Sequence, residues 1–445
     1  MESNTTPEAS RPATSRRKFI GGAAVAAAAV NLPIEACAQV AGSDELKLAI
    51  VGCGGRGGGA INQALTSGGT RLVAMADAYQ SRLEPLLSSM QSKFSTRVDV
   101  PESRRYIGLE SYKDVLEHAN VVLLTTPPGF RPMMFKAAID AGKHVFMEKP
   151  VAVDSPGARL VMEYAKKADE KGLKVVVGLQ RRYQTAYLEA YKKVKEEGLI
   201  GDIVAAQCYW NGGGVWEPFE RKPGMSEMEY QVKNWYYYTW LSGDHIDEQH
   251  IHNIDVINWF MGDKHPVAAQ GMGGRQVRVD KKYGQIFDHH YVEYAYDNGV
   301  IMNSQCRHQK NCWSSVSEMI IGDKGTLYLD RAVIKDKAGK TIWQHRNRDD
   351  MDPYQVEHNR LYAAIRENKP LNNASYGAQS TFTAILGRYA TYGGKMVKWD
   401  EALAWNNSEM PAKLGFDQPS LVQPNPDGSY KVPIPGEFDP SKPLG

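Results

Sequence analysis

The feature that most constrains this chain is a glycine-rich turn between an apolar run and a segment with helical spacing. Residues 46–51 form the apolar run, and the turn from Gly52 to Gly57 follows it directly. Gly52 permits a tight turn, Gly54 lets the backbone approach a bound group, and Gly57 lets a helix pack closely on the strand. A strand, a glycine turn and a helix in this order predict an α/β domain whose helix N-terminus faces a phosphate.

A carboxylate at the end of the next apolar run indicates that the phosphate belongs to a dinucleotide. Asp77 closes the run 72–76 and follows Gly57 by 20 residues, the spacing at which an acid contacts the ribose hydroxyls. Because a carboxylate there repels a 2′-phosphate, the sequence favours NAD over NADP. Arg82 is the one nearby residue that opposes this preference.

Two further apolar runs end in polar residues. Residues 121–124 lead into Thr125, Thr126 and Pro127, and residues 144–147 lead into Glu148 and Lys149. In a doubly wound sheet, ligands bind beyond the carboxyl ends of the parallel strands. We therefore predict a Rossmann domain with a doubly wound parallel sheet over residues 39–152, with these residues beside the glycine turn.

The motifs resemble the Gfo/Idh/MocA family of sugar and cyclitol oxidoreductases. The resemblance rests on the glycine turn, on Thr126-Pro127-Pro128, and on a Gly-Lys-His-Val strand, residues 142–145, ahead of Glu148-Lys149-Pro150. It implies a bound NAD, with Lys149 beside the nicotinamide and the reacting hydroxyl. Arg131 departs from the family, in which many members have a histidine. The cofactor-binding residues expected on this basis are Gly52, Gly54, Gly55, Arg56, Gly57, Asp77, Thr126, Pro127, Glu148, Lys149 and Gln180.

Residues 243–255 resemble the second signature of the family and are predicted to open a helix that continues to Met261. Glu248, His252 and Asp255 lie at i, i+4 and i+7, so they share one helical face. The resemblance makes Glu248, Lys149 and His252 the catalytic candidates. We expect His252 to be the general base, with the Glu248 carboxylate orienting its imidazole and Lys149 lowering the pKa of the substrate hydroxyl.

Two other interpretations of the same segment stay open. His245, Glu248, His250 and His252 could ligate a metal, although only some of them can point the same way on a helix. The segment could also be a solvated helix start capped by Asp244. The prediction assigns no metal.

The second half of the chain predicts an α+β domain, residues 153–405, on a large, mostly antiparallel open sheet. Turn residues separate runs with strand character. Helical patterns near residues 357–392 are expected to pack back toward the first domain, and the Pro-rich residues 406–445 to form an extended arm. The resemblance implies that the sheet also pairs subunits in a homo-oligomer. The predicted strands begin near Asp202 and continue at 268–279, 288–296, 300–307, 317–321 and 326–329.

Aromatic side chains concentrate between Tyr209 and Trp240, which include four of the nine Trp residues. Such rings can stack on sugar faces, although loop packing accounts for most of them. The 53 Lys and Arg against 51 Asp and Glu leave a net charge of only +2, which argues against nucleic acid as a partner and fits an uncharged substrate. The substrate-contact candidates are Arg181, Tyr183, Trp235, Tyr236, His250 and Asp255.

The N-terminus has the pattern of an export signal. Arg16, Arg17 and Lys18 precede a short Ala-rich apolar run, and Ala36-Cys37-Ala38 offers a cleavage site, which resembles a twin-arginine leader over residues 1–38. The run is too short and interrupted for a permanent membrane span. Lipid attachment at Cys37 is disfavoured by Glu35. We therefore predict a periplasmic protein that is exported with its cofactor domain already folded.

Together these features predict an NAD-dependent oxidoreductase acting on a secondary hydroxyl of a sugar or glycoside, with C3 and a 3-keto product as one form of the reaction. The resemblance leaves a second enzyme class open, in which transient C3 oxidation and elimination give net glycoside hydrolysis. A sugar-binding protein without catalysis is the third alternative. Because free NAD is scarce outside the cytoplasm, we expect the cofactor to be tightly held.

Overall fold

The computed structural model describes residues 45–347 and 349–444. The predicted leader, with Arg16, Arg17 and Cys37, lies outside these residues. The described residues belong to one compact unit. Among them, no helix combines the length and the apolar character needed to cross a bilayer.

The first domain is built on a six-stranded parallel sheet in the order β3-β2-β1-β4-β5-β6. The central strand β1 has Leu48, Ala49 and Ile50 completely buried, as expected for a strand covered by helices on both faces. The sheet confirms the predicted doubly wound class. Its strands are β1 Leu46–Val51, β2 Thr70–Asp77, β3 Arg105–Ile107, β4 Val121–Leu124, β5 His144–Met147 and β6 Val175–Val177.

Four helices connect these strands. Helix α1 begins directly in the glycine turn. Helix α4 is capped by Asp154, whose side chain accepts a hydrogen bond from the Gly157 N–H at 2.7 Å. Helix α4 carries the chain back so that β6 joins the sheet after residue 152, where the sequence analysis placed the domain boundary. The helices are α1 Gly55–Thr66, α2 Gln80–Lys93, α3 Arg131–Asp140 and α4 Ser155–Glu170.

The second domain is built on a nine-stranded open sheet in the order β14-β13-β12-β11-β7-β10-β9-β8-β15. Only β7 and β10 run parallel to each other, and every other neighbouring pair is antiparallel. The large, mostly antiparallel sheet is therefore confirmed. Its strands are β7 Ile203–Gly212, β8 Ala268–Gly274, β9 His289–Ala295, β10 Ile301–His308, β11 Ser315–Gly322, β12 Gly325–Tyr328, β13 Val333–Asp336, β14 Thr341–Gln344 and β15 Val397–Lys398.

The remaining helices pack on one face of this sheet or return to the first domain. Helices α9 and α11 cover the sheet, α11 also packs against α4, and α10 packs against α1. Residues 406–444 follow the surface without a helix or strand. The helices are α5 Thr185–Lys195, α6 Glu227–Lys233, α7 Thr239–Ser242, α8 His245–Glu248, α9 Ile251–Phe260, α10 Pro353–Arg366, α11 Ala374–Gly393 and α12 Trp399–Leu403.

Candidate active site

A cavity of about 950 Å³ runs along the carboxyl ends of the first sheet and continues against the second domain. The glycine turn and Asp77 line one end, and Lys149, Glu248 and His252 line the other. Gly52 and His252, 200 positions apart in the sequence, thus face one space. Its lining joins the glycine turn of a dinucleotide groove to the candidate catalytic residues.

The glycine turn has the geometry that a phosphate requires. Gly52 has φ +97°, a left-handed conformation that favours glycine, and a Cβ on Gly57 would lie 2.0 Å from the Gly52 carbonyl oxygen. By contrast, nothing lies within 4 Å of a Cβ built on Gly54 or Gly55, so the space above them is open. Gly54 caps α1 without a side-chain hydrogen bond, which leaves the first N–H groups of the helix available to an anion.

Asp77 stands at the adjacent strand end, as predicted. Its carboxylate accepts hydrogen bonds from the backbone N–H groups of Cys53, at 2.6 Å, and Tyr79, at 2.8 Å. Burial raises the pKa of Asp77, and these N–H groups and Arg82 oppose the rise. The carboxylate is therefore tied to the glycine turn and also lines the cavity, where it can accept from ribose hydroxyls.

The Glu148-Lys149 motif is held in place by two arginines. Arg56 Nε donates to the Glu148 carboxylate, while its guanidinium lies 4.6 Å from the centre of the Tyr354 ring. Arg131 is fully buried and donates to the backbone carbonyls of Glu148, at 2.8 Å, and Thr126. Burial lowers the pKa of Arg131 to about 10. The arginine that departs from the family pattern therefore joins the ends of β4 and β5.

Lys149 and Glu248 form a direct pair between the two domains. The Lys149 Nζ lies 2.9 Å from Glu248 Oε1 and also donates to the Glu248 backbone carbonyl at 2.5 Å. Both side chains are mostly buried and both line the cavity. The proposed catalytic lysine is thus oriented by two acceptors of the second signature.

The single helix predicted from Asp244 to Met261 is wrong, because the structure divides it into α8 and α9. In a continuous helix the Glu248 carbonyl would accept from the His252 N–H; instead Lys149 occupies that carbonyl and His252 bonds to Gln249. Glu248 and His252 therefore do not stack one turn apart. The expected orientation of the His252 imidazole by Glu248 is replaced by the Lys149–Glu248 pair.

His252 nevertheless lines the cavity. Its ring lies nearly parallel to that of Trp210, with centroids 5.8 Å apart, and its buried Nδ1 has no hydrogen-bond partner among the described residues. Burial, with the positive charges of Lys149 and Arg181, holds its pKa well below 6.5. The imidazole is therefore neutral at pH 7 and can accept a proton.

The substrate end of the cavity has aromatic walls. Trp210, Trp216, Phe219 and Trp235 line it, and the Trp216 and Trp235 rings lie 5.6 Å apart. Trp216 and Phe219 are about two-fifths exposed. Apart from the half-buried Tyr209, the other rings of this aromatic-rich segment are buried, in agreement with loop packing as the explanation for most of them. Those buried rings are Tyr230, Tyr236, Tyr237, Tyr238 and Trp240.

Several predicted substrate residues do not reach the cavity because they have buried partners elsewhere. The Arg182 guanidinium donates bidentate hydrogen bonds to the Asp255 carboxylate, with N···O distances of 2.8 to 3.1 Å. Asp255 is therefore bound to Arg182 and, contrary to the prediction from the sequence, does not line the cavity beside His252. Arg181 pairs with the buried Glu318. Three further residues are also absent from the cavity wall. Tyr183 donates to Asn373, His250 bonds to Ser304 at 2.7 Å, and Tyr236 packs against Trp216. Gln180, predicted to bind the cofactor, is also absent from the wall, and its buried Oε1 has no partner among the described residues.

The residues considered for a metal are not gathered around one point. His245 bonds to Asp244, Glu248 pairs with Lys149, and His252 faces the cavity. Asp244, His245 and His290 do lie close together, with their ligand atoms within 4.8 Å of one another. The Asp244 carboxylate there already accepts from Tyr392, Phe287 and both histidines, which makes this group a buried hydrogen-bond network.

Some lining residues were not foreseen. Tyr354 enters from the start of α10, Gln249 from the break between α8 and α9, and Lys233 from the end of α6. Tyr79, two residues after Asp77, lines the dinucleotide end. A helix-start signal precedes Tyr354 at Asp352-Pro353, but nothing in the sequence states which surface that helix meets.

Comparisons with known proteins agree with this geometry. A family profile described as "Oxidoreductase family, NAD-binding Rossmann fold" matches residues 46–179. A second profile, "GFO/IDH/MocA C-terminal domain", matches residues 188–328. Together the two matches cover more than half of the chain.

Curated relatives are distant inositol dehydrogenases. Inositol 2-dehydrogenase 3 of Saccharopolyspora erythraea is 28% identical over 229 residues, which is 50% of this chain and 58% of that protein. Inositol 2-dehydrogenase of Acidiphilium cryptum is 25% identical over 320 residues, covering 69% of this chain and 83% of that protein. The chain thus matches less than two thirds of the length of the Saccharopolyspora relative.

Solved structures support the fold. The aldose-aldose oxidoreductase of Caulobacter crescentus gives a TM-score of 0.61 at 18% identity, over 80% of this chain and 99% of that chain. The scyllo-inositol dehydrogenase of Lactobacillus casei, solved with NAD(H) and scyllo-inositol, gives 0.60 at 22% identity over 80% and 100%. The chain belongs to the GFO/IDH/MocA oxidoreductase family, and its first domain is the NAD-binding Rossmann domain of that family.

Proposed function

We propose that this protein is an NAD-dependent oxidoreductase acting on a secondary hydroxyl of a sugar, cyclitol or glycoside. One observation carries the proposal: the Lys149 ammonium and the neutral His252 imidazole line a single cavity that begins at the glycine turn and ends between tryptophan rings. A proton donor or acceptor therefore stands where the nicotinamide end of a dinucleotide meets an apolar, ring-lined pocket.

The described residues fit NAD. The open space above Gly54 and Gly55 admits a diphosphate, and the Asp77 carboxylate can accept from both ribose hydroxyls. Thr126 and Pro127 line the part of the groove nearer Lys149. When bound, NAD supplies the hydride acceptor or donor for a carbinol carbon.

The protein's own residues would orient the hydroxyl and move its proton. Lys149, fixed by Glu248, donates a hydrogen bond to the substrate oxygen and stabilises developing negative charge there. His252, neutral and facing the cavity, accepts the hydroxyl proton in the oxidation direction and returns it in reduction. Because Glu248 pairs with Lys149, its carboxylate keeps the ammonium in place and does not relay a proton from His252.

The pocket walls favour a ring with an apolar face. Trp210, Trp216 and Trp235 offer flat surfaces for sugar C–H groups. The two acids at this end, Glu148 and Glu248, are each paired with a cation, so no free carboxylate lines it among the described residues. These features support a polyhydroxylated, uncharged substrate, and we propose oxidation at C3 of a glycoside as one form of the reaction.

Mass spectrometry of products tests this proposal. The NAD-loaded protein is incubated with a panel of cyclitols, free sugars and aryl glycosides, with the Lys149→Met variant as the control. A product two mass units lighter than the substrate, absent with the variant, is the expected result. Released aglycone without a keto product would favour transient C3 oxidation and net hydrolysis. Substrate binding without any product, equal in both proteins, would contradict catalysis and favour a sugar-binding protein.

We also propose that the protein is exported and retains its cofactor. The twin-arginine pattern at Arg16 and Arg17 supports the first, and the long, two-domain groove supports the second. Cell fractionation of the full chain against an Arg16→Lys, Arg17→Lys double variant tests export, because the variant should remain inside. Nucleotide extraction from purified protein tests retention; a protein that purifies empty and needs millimolar NAD would contradict it.

The second sheet supports a homo-oligomer. Strands β9, β10 and β11 alternate buried residues with partly exposed ones, and helices α9 and α11 cover the buried side. Met272 and Ile301 are exposed on the other face. We propose that this face pairs subunits. Light scattering should show a dimer or larger assembly that a Met272→Asp, Ile301→Asp double variant reduces to a monomer; a monomeric parent protein would contradict the proposal.

A further inference from the structure

The adenosine end of the groove is spanned by parts of the chain that lie outside the Rossmann domain. Tyr79, two residues after Asp77, lines the groove. Its hydroxyl donates to the Glu229 carbonyl of α6 at 3.2 Å, and its ring stacks on Phe416, with centroids 5.2 Å apart and planes 27° apart. One side chain of the first domain is therefore held from one side by α6 and from the other by the C-terminal segment.

The C-terminal segment is fixed to α6 by further hydrogen bonds. The Gln231 side chain donates to the Val422 carbonyl and accepts from the Ser420 hydroxyl, both at 2.7 Å. Tyr430 donates to the Glu227 carboxylate at 2.7 Å. Because Gln231 and Val422 are buried, these bonds exchange little with water. Helix α6 and residues 416–430 thus form one connected layer. We call this layer the outer wall.

Lys233, the last residue of α6, lines the groove with a positively charged side chain. It lies one helical turn after Glu229, on the same face, and among the described residues of the second domain it is the one Lys or Arg that lines the cavity. Within the described ranges Lys233 makes no ion pair, and its nearest aromatic partner is Phe219, 5.7 Å from the ammonium. On the first-domain side, Arg56 of the glycine turn is paired with Glu148, and Arg82 lines the groove near Asp77.

We propose that the outer wall is part of the cofactor site: Tyr79, held in place by Phe416 stacked against it, borders the adenosine half of NAD, and Lys233 pairs with its diphosphate. A Rossmann domain alone leaves this side of the dinucleotide in solvent. Release of NAD then requires the Tyr79–Phe416 stack to open or Lys233 to leave a doubly charged group. This inference rests on the proposed retention of NAD and assigns that retention to particular residues.

The rate of NADH dissociation tests the outer wall. NADH-loaded protein is mixed with excess NAD, and nicotinamide fluorescence is followed with time. We expect Phe416→Ala to raise the dissociation rate tenfold or more and Phe416→Leu, which keeps apolar volume without a ring, to raise it less. Phe438→Ala is the matched control, because Phe438 lies in the same C-terminal residues 406–444 but outside the outer wall, where it packs on Tyr392 with ring centroids 6.3 Å apart.

Two results would overturn the outer-wall proposal, and a third would contradict only the proposed retention of NAD. Equal dissociation rates for Phe416→Ala and the parent protein would remove Phe416 from the site. An increase as large for Phe438→Ala would show that the segment acts only through overall folding, which the melting temperatures of both variants would also reveal. If the parent protein itself releases NADH within milliseconds, the proposed retention of NAD is contradicted. The ratio of the variant rate to the parent rate would still test whether the outer wall belongs to the cofactor site.

Lys233→Met separates a diphosphate partner from a substrate partner. If Lys233 pairs with the diphosphate, the variant should release NADH about tenfold faster, and its release should depend less on salt than that of the parent protein, because an exposed ion pair is screened. A variant with unchanged NADH release but a raised KM for the sugar would place Lys233 on the substrate and contradict its role in the outer wall.

Discussion

The two ends of the cavity are built in different ways. The dinucleotide end takes Gly52, Gly54 and Asp77 from two neighbouring strand ends, and the backbone supplies most of its hydrogen-bonding groups. The substrate end takes side chains from β7, from Trp235 after α6, from the break between α8 and α9, and from α10. A site formed by backbone groups and by residues close together in the sequence tolerates substitutions elsewhere in the chain. A site made of distant side chains depends on how the whole second domain packs.

Lys149 is the residue at which the two ends meet, and its replacement should have the largest effect. Lys149→Met keeps the length of the side chain but removes the charge that Glu248 orients. We expect kcat to fall about 10²- to 10³-fold, the range for loss of one donor that stabilises a developing negative charge on oxygen. Single-turnover measurements with NAD-loaded protein check this. A fall of less than tenfold would show that the substrate end does not rely on the lysine.

Asp255 tests whether the second signature contributes contacts with the substrate or packing. Its bidentate bonds with Arg182 are buried, so Asp255→Asn leaves Arg182 with the partly exposed Asp263 as its one remaining carboxylate partner among the described residues. We expect the free energy of unfolding to fall by about 1.5–3 kcal/mol, the range for hydrogen bonds to a charged group. Urea denaturation measures this. If instead stability is unchanged and the KM for the sugar rises, Asp255 contacts the substrate as the sequence suggested.

Replacing Asp77 tests how much a single side chain at the dinucleotide end contributes to NAD affinity. Asp77→Asn keeps an acceptor for the Cys53 N–H but loses the charge that strengthens bonds with ribose hydroxyls. We expect NAD affinity to fall about 10- to 100-fold, from about 1.5–3 kcal/mol for hydrogen bonds to a charged group. Titration calorimetry with NAD and NADP measures both. An unchanged preference for NAD would show that Asp77 does not exclude the 2′-phosphate.

The same contrast explains what the sequence could predict. The glycine turn, Asp77 and Glu148-Lys149 were predictable because each follows an apolar run, and parallel strands end at one edge. Periodicity could not show that Lys149 takes the Glu248 carbonyl and ends α8, since that bond joins residues 99 positions apart. Nor could it separate Trp235, which lines the cavity, from Tyr236, which is buried beside it.

This last pair gives a matched test of the aromatic wall. Trp235→Ala removes a ring from the cavity, and we expect the KM for the sugar to rise about two- to tenfold, from about 0.5–1.5 kcal/mol for ring stacking. Tyr236→Phe removes only a buried hydroxyl that has no partner among the described residues, so KM should not change. Initial-rate kinetics compare the two. A larger effect from Tyr236→Phe would reverse their assignment.

The pH dependence of sugar oxidation should show the smallest change and tests the protonation state of His252. Burial and neighbouring cations hold its pKa well below 6.5, so the ring stays neutral as pH falls from 8 to 6.5. Because only neutral imidazole accepts a proton, kcat/KM for oxidation should fall less than twofold over this interval and decline steeply only at lower pH. An acid limb centred at 6.5 or above in NAD-loaded protein would contradict this. A His252→Asn variant should lose the limb altogether, because no group at that position then titrates; a limb that persists would belong to another residue, and His252 would then not be the base.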